Sequence, residues 1–354
     1  MSDRTIYLHV GHGKTGTSYL QSALANSLDA LAAHGISYPL DPDEAARVRA
    51  GGISSGNIVP APRHLVPLLE RGDPALLLSS ESLFFKLRPN QLLETLRKHA
   101  PQARVKVMLY VRDPLDHVVS KYQQRIKRGG STEAFEDFLE VYNQPGNVGQ
   151  FMTWLETHDV EITVCNYSRH RADLLDTLSA WIGMPEGALK APEVRQVNRS
   201  MTNSEIALQM AFNRHLGADS ARYVSDVLCE ALPDVRSQRP PATPAALEAF
   251  LQRMKEMIAL HRLDTRFAAS ERYVLPDLDA AVARFDAPVS EPVFGFSAAQ
   301  LQVLAEALCA QMTTPPEAPA RGRSPEERAI RRAAREAKLE KRAARADARR
   351  KATQ

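Results

Sequence analysis

The chain has 354 residues, with 45 Lys and Arg against 42 Asp and Glu and a formal net charge of +3. The charge is unevenly spread, because residues 316–354 hold 13 basic and 6 acidic side chains and carry +7, which leaves −4 on residues 1–315. This pattern predicts one domain over 1–315, large enough to bury a substantial core, and a basic flexible or helical tail over 316–354. No run of about 18 consecutive apolar residues is present, which excludes a membrane-spanning helix by composition.

The N-terminal residues and the cysteines indicate the cellular compartment of the protein. The first ten residues lack the basic and long apolar regions of a secretory signal. Cys165, Cys229 and Cys309 are far apart and outside any Cys-x-x-Cys spacing, which disfavours both a disulfide framework and a zinc site. We therefore expect a cytoplasmic protein.

Strand-like and helix-like segments alternate through the first half of the chain. Short apolar runs predict four strands, at Ile6–Val10, Ala75–Ser79, Val105–Val111 and Val160–Cys165. Amphipathic spacing predicts a helix after each, beginning at Thr17, at Pro89, at Pro114 and around Leu174. Such alternation is typical of a parallel sheet with helices on both faces, and ligands bind beyond the carboxyl ends of its strands.

From about residue 200 the pattern becomes helical. The predicted helices are Ser204–Leu216, Val224–Leu232, Ala245–Leu260 and Ala299–Cys309. We therefore expect helical additions to the α/β domain in the C-terminal half of the chain.

The segment Gly11-His-Gly-Lys-Thr-Gly-Thr-Ser18 lies directly between the first strand and its helix. Glycines allow a tight turn and close approach of a ligand, and N–H groups at a helix start attract anions. Lys14 adds a positive charge, and the residues Gly13, Thr15, Gly16, Thr17 and Ser18 complete a candidate phosphate loop. The segment differs from a Walker A motif, in which the lysine follows the last glycine.

A second polar segment, Arg112-Asp-Pro-Leu-Asp-His-Val-Val-Ser120, follows the third strand. The planar guanidinium of Arg112 suits a phosphate group. Ser120 lies eight residues further along, so it reaches the same region if the chain bends at Pro114. Taken alone, an Arg-Asp-Pro turn is more often a structural ion pair.

Together, Lys-Thr-Gly-Thr-Ser and Arg-x-Pro-x5-Ser-x-Tyr resemble the motifs of sulfotransferases that use 3′-phosphoadenosine 5′-phosphosulfate (PAPS), above all bacterial and carbohydrate-modifying members. The resemblance covers roughly residues 6–183 and implies a three-layer, P-loop-like sheet. It implies that Lys14, Gly16, Thr17 and Ser18 bind the 5′-phosphosulfate, and that Arg112 and Ser120 bind the 3′-phosphate.

The resemblance also suggests a base. Glu81 follows the second predicted strand, where carbohydrate-modifying members of that family can use a glutamate to take the proton of an acceptor hydroxyl. A carboxylate within hydrogen-bond reach of the acceptor can perform this role. A structural reading of Glu81, as a cap or an ion-pair partner, stays open, and His12 and His117 are weaker candidates for the base.

Two positions depart from the family pattern. After the fourth strand, Tyr167 fits the aromatic position near the adenine, but Ser168 and Arg169 replace the family's acidic residues. The family's Arg-Lys-Gly loop is absent, and Asn198-Arg-Ser200 is a candidate for its replacement.

The resemblance implies transfer of a sulfuryl group to a hydroxyl of a carbohydrate or small metabolite, without a metal. Gly51–Pro62 is a candidate mobile lid. The alternatives are a P-loop kinase or nucleotide hydrolase, and an inactive nucleotide-binding scaffold. The basic tail lacks interleaved aromatic residues, so we expect it to be a solubilising appendage that binds no specific nucleic acid.

Overall fold

The computed structural model describes residues 4–49, 54, 56–158, 160–192, 199–286, 288 and 294–313. The chain divides after Leu304 into two units, and the site described below lies wholly in the first. The predicted basic tail at 316–354 lies outside the described residues, so the domain boundary at residue 315 stays a prediction.

The first unit contains a five-stranded, all-parallel sheet in the order β2-β3-β1-β4-β5. Its strands are β1 (Thr5–Gly11), β2 (Ile36–Ser37), β3 (Ala75–Ser79), β4 (Arg104–Val111) and β5 (Glu161–Asn166). The four predicted strands are confirmed. The sequence pattern missed β2 because its two residues pair only with Ala75 and Leu76 and are too few for a periodicity to emerge.

Helices connect and cover the strands. Those up to β5 are α1 (Thr17–Asn26), α2 (Leu28–Ala33), α3 (Pro42–Arg49), α4 (Pro62–Glu70), α5 (Leu83–Lys86), α6 (Leu92–His99), α7 (Pro114–Gly129), α8 (Phe135–Val141) and α9 (Gln144–Glu156). Those after β5 are α10 (Tyr167–His170), α11 (Leu174–Trp181), α12 (Asn203–Leu216), α13 (Ser225–Ala231), α14 (Pro244–Leu260), α15 (Leu263–Arg266), α16 (Leu278–Val282) and α17 (Ala298–Thr313), with 3₁₀ helices at Gly217–Tyr223 and Ala269–Glu271.

The predicted helices are present, with bounds that differ from the expected ones by up to four residues. The helix expected to begin at Pro89 begins at Leu92, after Gln91 adopts a left-handed conformation with φ 51°. The helix that begins at Thr17 ends at Asn26, and α2 follows after Ser27, whose hydroxyl donates to the Ala23 carbonyl at 2.7 Å. A serine that bonds back to the preceding turn competes with the helical ladder.

Both faces of the sheet are buried beneath helices. Ile6, Leu8 and Val10 of β1 point to one face, where they join a cluster with residues of α6 and α9. Leu77 of β3 and Tyr110 of β4 point to the other face, where they join residues of α1 and α11. This arrangement confirms an α/β sheet flanked by helices and is compatible with three layers.

Beyond β5, every described element is helical, as the sequence predicted. A separate cluster packs α7 and α8 against α12 and α14, with Tyr122, Phe138, Ile206 and Phe250 at its centre. The helical half therefore packs against α7, the helix that follows β4.

The strand order opens a crevice at the carboxyl end of the sheet. The chain leaving β1 leads to β2 at one edge, whereas the chain leaving β4 leads to β5 at the other. Adjacent parallel strands whose connections run in opposite directions leave a crevice between them, where ligands of α/β proteins bind. The two polar segments singled out in the sequence follow β1 and β4.

Candidate functional site

The loop after β1 is a tight turn with three left-handed residues. The φ angles of Gly13, Lys14 and Gly16 are 84°, 60° and 80°. A left-handed conformation costs a lysine about 1–2 kcal/mol, so the surrounding contacts must hold Lys14 in place. Helix α1 begins directly after Gly16, and no side-chain cap is present within the described part of the chain. The first N–H groups of α1 therefore face the crevice without a capping side chain.

A cleft of about 340 Å³ lies at this end of the sheet. It brings together residues from all four predicted strand ends and from α7. Its wall consists of Lys14, Gly16, Thr17, Ser18, Tyr19, Glu81, Arg112, Ser120, Gln123, Gln124, Lys127, Arg128, Tyr167, Arg199 and Ser200. Eight of the ten predicted site residues are among them, and Gly13 and Thr15 are not.

Gly13 and Thr15 belong to the loop but do not line the cleft. Thr15 is fully buried, with its hydroxyl 3.3 Å from that of Thr17. The Gly13 carbonyl oxygen is 3.1 Å from Nε2 of His117. These two predicted contacts are therefore positioned to shape the loop.

Lys14 is largely enclosed by the protein and carries its charge into the cleft. Burial lowers its pKa to about 8, with further lowering from Lys127, Lys121 and Arg112, while Glu81 raises it. Positively charged side chains are thus concentrated around the partly desolvated Lys14 ammonium group, which favours an anionic ligand.

Arg112 connects the loop to the ends of β4 and β5. Its Nη1 donates to the Lys14 carbonyl at 3.2 Å, and its guanidinium carbon lies 5.4 Å from the ring centroid of Tyr167. Burial lowers the pKa of Arg112, and Asp116 and Tyr167 oppose that shift. The Tyr167 ring in turn packs on Gly16, where an added Cβ would lie 2.9 Å from Cε2 of Tyr167.

Ser120 reaches the cleft because α7 begins immediately at Pro114, after Asp113 with ψ 131°. The bend that the sequence required at this proline is present. Lys127 of the same helix was missed. Residues three, four and seven positions apart share a helix face, so the spacing from Ser120 to Gln123, Gln124 and Lys127 could have revealed it.

Lys127 lies against the wall of the cleft at the far end of this face. Its Nζ contacts the Arg199 carbonyl and the Cys229 sulfur, both at 3.3 Å. After burial, the charge of Lys127 is the next cause that lowers the pKa of Lys14, and both lysines line the cleft.

Glu81 lies in the turn after β3 and lines the cleft. Burial raises the pKa of its carboxyl group, and Lys14 and Lys121 act in the opposite direction. A carboxyl group with a raised pKa is a stronger base than an ordinary glutamate.

The two rival histidines are buried, and neither lines the cleft. His117 contacts a carbonyl through Nε2, so that nitrogen carries the proton, and Nδ1 accepts from the Tyr142 hydroxyl at 2.8 Å. His12 contacts the same Gly13 carbonyl through Nδ1 at 3.2 Å, and burial lowers its pKa to about 3. Both are neutral supports of the loop, so the interpretation of either as the base is not favoured by their positions.

Arg199 lines the cleft, but its guanidinium is committed elsewhere. It donates to both carboxylate oxygens of Glu205 at 2.7 Å and to the carbonyls of Leu232 and Leu228. The guess that this loop replaces the missing Arg-Lys-Gly segment is therefore not supported for Arg199. Ser200 lines the cleft, and Asn198 lies outside the described residues.

The residues that depart from the family pattern after Tyr167 hold β4 and β5 together. Ser168 Oγ accepts from the Asp113 N–H at 3.1 Å, and Arg169 pairs with the Asp113 carboxylate at 3.0 Å. The Asn166 side chain donates to that carboxylate at 2.9 Å. These contacts fix the segment that carries Arg112.

The candidate lid at Gly51–Pro62 is described only in part. Asn57 binds the edge of β3, donating to the Leu77 carbonyl and accepting from the Ser79 N–H, both at 2.8 Å. Residues 51–53 and 55 lie outside the described residues. The described part is thus attached to the sheet, and the lid stays a prediction.

Within the described ranges, no group of three or more His, Cys, Asp or Glu side chains is arranged to hold a metal ion. In the same ranges, no helix has the length and apolar character needed to cross a membrane. No family model matches the chain, and no curated protein matches it significantly.

Proposed function

We propose that the protein is a sulfotransferase that moves a sulfuryl group from PAPS to a hydroxyl of a carbohydrate or small metabolite in the cytoplasm. The observation that carries the proposal is the convergence of Lys14, Glu81, Arg112, Ser120 and Tyr167 on one cleft. These residues come from four strand ends and one helix, and they are the ones that resemble the PAPS-dependent family. The P-loop-like identity of the sheet is part of the same proposal.

The residues of the cleft fit a nucleotide with phosphate groups at two positions. Lys14 and the N–H groups at the start of α1 would hold the 5′ group, and Arg112 and Ser120 would hold the 3′-phosphate. Lys127 lies on the Ser120 face of α7 and adds positive charge where the family's Arg-Lys-Gly loop is missing. Tyr167 offers an aromatic ring for the adenine, next to Arg112.

The proposed mechanism divides the work between two charged groups. PAPS would supply the sulfuryl group, whose bond to the phosphate oxygen breaks as the acceptor oxygen bonds to sulfur. Lys14 would stabilise the negative charge that develops on the phosphate oxygen. Glu81 would take the proton from the acceptor hydroxyl, a contribution of about 10²- to 10⁴-fold.

Variants of the full chain separate binding from transfer. Lys14→Ala and Arg112→Ala each remove a charge-assisted contact worth about 1.5–3 kcal/mol, so we expect affinity for adenosine 3′,5′-bisphosphate to fall about 10- to 100-fold by calorimetry. Glu81→Gln should bind this product normally and lose transfer of label from PAPS about 10²- to 10⁴-fold.

Each result excludes a specific alternative. Wild-type binding without transfer to any hydroxyl compound of a cell extract would favour an inactive scaffold. Unchanged turnover of the Glu81→Gln variant would remove Glu81 from the base role.

A further inference from the structure

Glu81 and Lys121 both lie next to Gly13 of the phosphate loop. A Cβ built on Gly13 would lie 3.7 Å from Oε2 of Glu81 and 4.0 Å from Nζ of Lys121. Glu81 comes from the turn after β3, and Lys121 comes from the first half of α7. Two distant segments therefore bring a carboxylate and an ammonium group above the same glycine.

Lys121 lies on a different face of α7 from Ser120. Successive residues of a helix are about 100° apart, and Ser120 lines the nucleotide cleft while Lys121 is not part of its described wall. The Lys121 ammonium instead lies 5.9 Å from the ring centroid of the half-exposed Phe85. Phe85 belongs to α5, the helix that follows Glu81. Lys121 thus flanks Glu81 outside the nucleotide cleft.

The negatively charged group that acts on Lys121 is the Glu81 carboxylate. Burial lowers the pKa of Lys121, Glu81 raises it, and Arg125 on the next turn of α7 lowers it. Arg125 itself pairs with Glu133 at 2.9 Å. Of the charged groups that act on Lys121, Glu81 is therefore the one that favours its protonated form.

Two lysine side chains lower the pKa of Glu81. Lys14 faces it from the loop and Lys121 from α7, and both favour its ionised form against the effect of burial. His12 and His117 both contact the Gly13 carbonyl, and burial lowers the pKa of His12 to about 3 and that of His117 well below its usual value. Both imidazoles are neutral at physiological pH and add no positive charge.

We propose that Lys121 is a positioning residue that keeps Glu81 ionised, which leaves Lys14 to the leaving phosphate. The inference rests on the proposed role of Glu81 as the base. A phosphate group bound at Lys14 engages that ammonium and adds negative charge close to Glu81, which favours protonation of the carboxylate. Lys121 lies outside the nucleotide cleft, so it continues to offset this effect when the cleft is filled.

Direct titration of Glu81 tests the inference without any acceptor. The Glu81 carboxyl carbon is followed by NMR in the full chain, with and without adenosine 3′,5′-bisphosphate, and is assigned from its absence in Glu81→Gln. We expect Lys121→Met to raise the pKa of Glu81, with Lys121→Arg close to wild type. Lys86→Met, which removes an exposed lysine on α5, should change nothing.

The pH profile of transfer gives the second readout. Because only ionised Glu81 accepts a proton, a raised pKa should move the acidic limb of kcat/KM to higher pH in Lys121→Met and not in Lys121→Arg. An unchanged Glu81 titration in both Lys121→Met and Lys121→Gln would overturn the inference, even if the nucleotide binds and transfer proceeds. A shifted titration in a protein that does not bind the bisphosphate would support Lys121 and overturn the sulfotransferase proposal.

Discussion

Lys14 is the residue whose protonation should report ligand binding most clearly. Burial and the neighbouring Lys127 lower its pKa to about 8, whereas Glu81 raises it only in part. A bound polyanion adds negative charge next to the ammonium group and raises its pKa. The complex therefore holds more protons than the free protein near pH 8.

We predict that binding of adenosine 3′,5′-bisphosphate near pH 8 is accompanied by proton uptake, because free Lys14 is partly deprotonated at this pH. Affinity should be full below this pH and fall as the pH rises through about 8. Calorimetry in buffers with different ionisation enthalpies measures the uptake. Lys14→Arg stays charged over this range and should bind without it, and equal uptake in both proteins would contradict the assignment to Lys14.

The sequence predicted residues that belong to local motifs, whereas it suggested for Arg199 a binding role that a distant contact does not support. Lys14, Thr17 and Ser18 follow one strand, so the adjacent glycines identify them. The role of Arg199 depends on Glu205, whose carboxylate holds the guanidinium, and this pairing has no signature around Arg199. Local sequence therefore could not separate a structural arginine from a ligand-binding one.

The loop and the start of α1 form a single structural element whose shape depends on Gly16. Its φ is 80°, and an added Cβ would lie 2.6 Å from Leu174 Cδ2 and 2.9 Å from Tyr167 Cε2. Leu174 is buried at 4% exposure, so it has little room to move. Displacement of Tyr167 would also disturb Arg112, which lies over its ring.

We expect Gly16→Ala to lose both stability and binding of adenosine 3′,5′-bisphosphate. Gly183 is the matched control, because its φ is 77° and an added Cβ would meet nothing within 4 Å. Gly183→Ala should cost about 1–2 kcal/mol of unfolding free energy through its backbone alone and leave binding unchanged. Urea unfolding and calorimetry give the two readouts, and equal effects of both substitutions would show that the packing of Gly16 against Tyr167 is unimportant.

The helical half of the molecule contains a buried ion pair near the cleft, between Arg199 and Glu205. Glu205 is fully buried and accepts from Arg199, from the Thr202 N–H at 2.9 Å and from Gln300 at 2.8 Å. Burial alone would raise its pKa, but these hydrogen bonds lower it below the usual value. The contribution of Glu205 to stability is therefore present above its unfolded pKa and is lost as the pH falls through the folded pKa.

Glu205→Ala should lower the free energy of unfolding by about 3–5 kcal/mol, because it leaves the Arg199 charge buried without its partner. Urea unfolding at neutral pH measures the change. Glu248→Ala, on the exposed side of α14, is the control and should stay within about 0.5 kcal/mol. A small effect of Glu205→Ala would mean that Arg199 reaches solvent or the cleft.

The sequence predicted a strand or helix wherever a run of apolar residues was long enough to show a periodic pattern. Four strands and the helical half have runs of apolar residues that define them, whereas β2 exists through its pairing with β3. The order β2-β3-β1-β4-β5 also depends on long-range pairing, and it determines that the β1 and β4 loops share a crevice. The motifs indicated that these loops belong together, and the sheet order supplies the physical reason.

We propose that the cleft recognises a bisphosphate nucleotide. The measurement that tests it most directly is calorimetric titration of the full chain with adenosine 3′,5′-bisphosphate, side by side with ATP and Mg²⁺. We predict tighter binding of the bisphosphate, with a loss of affinity in Arg112→Ala that is absent for adenosine 5′-phosphate. Tighter binding of ATP with Mg²⁺ would contradict the proposal and favour a P-loop kinase or nucleotide hydrolase.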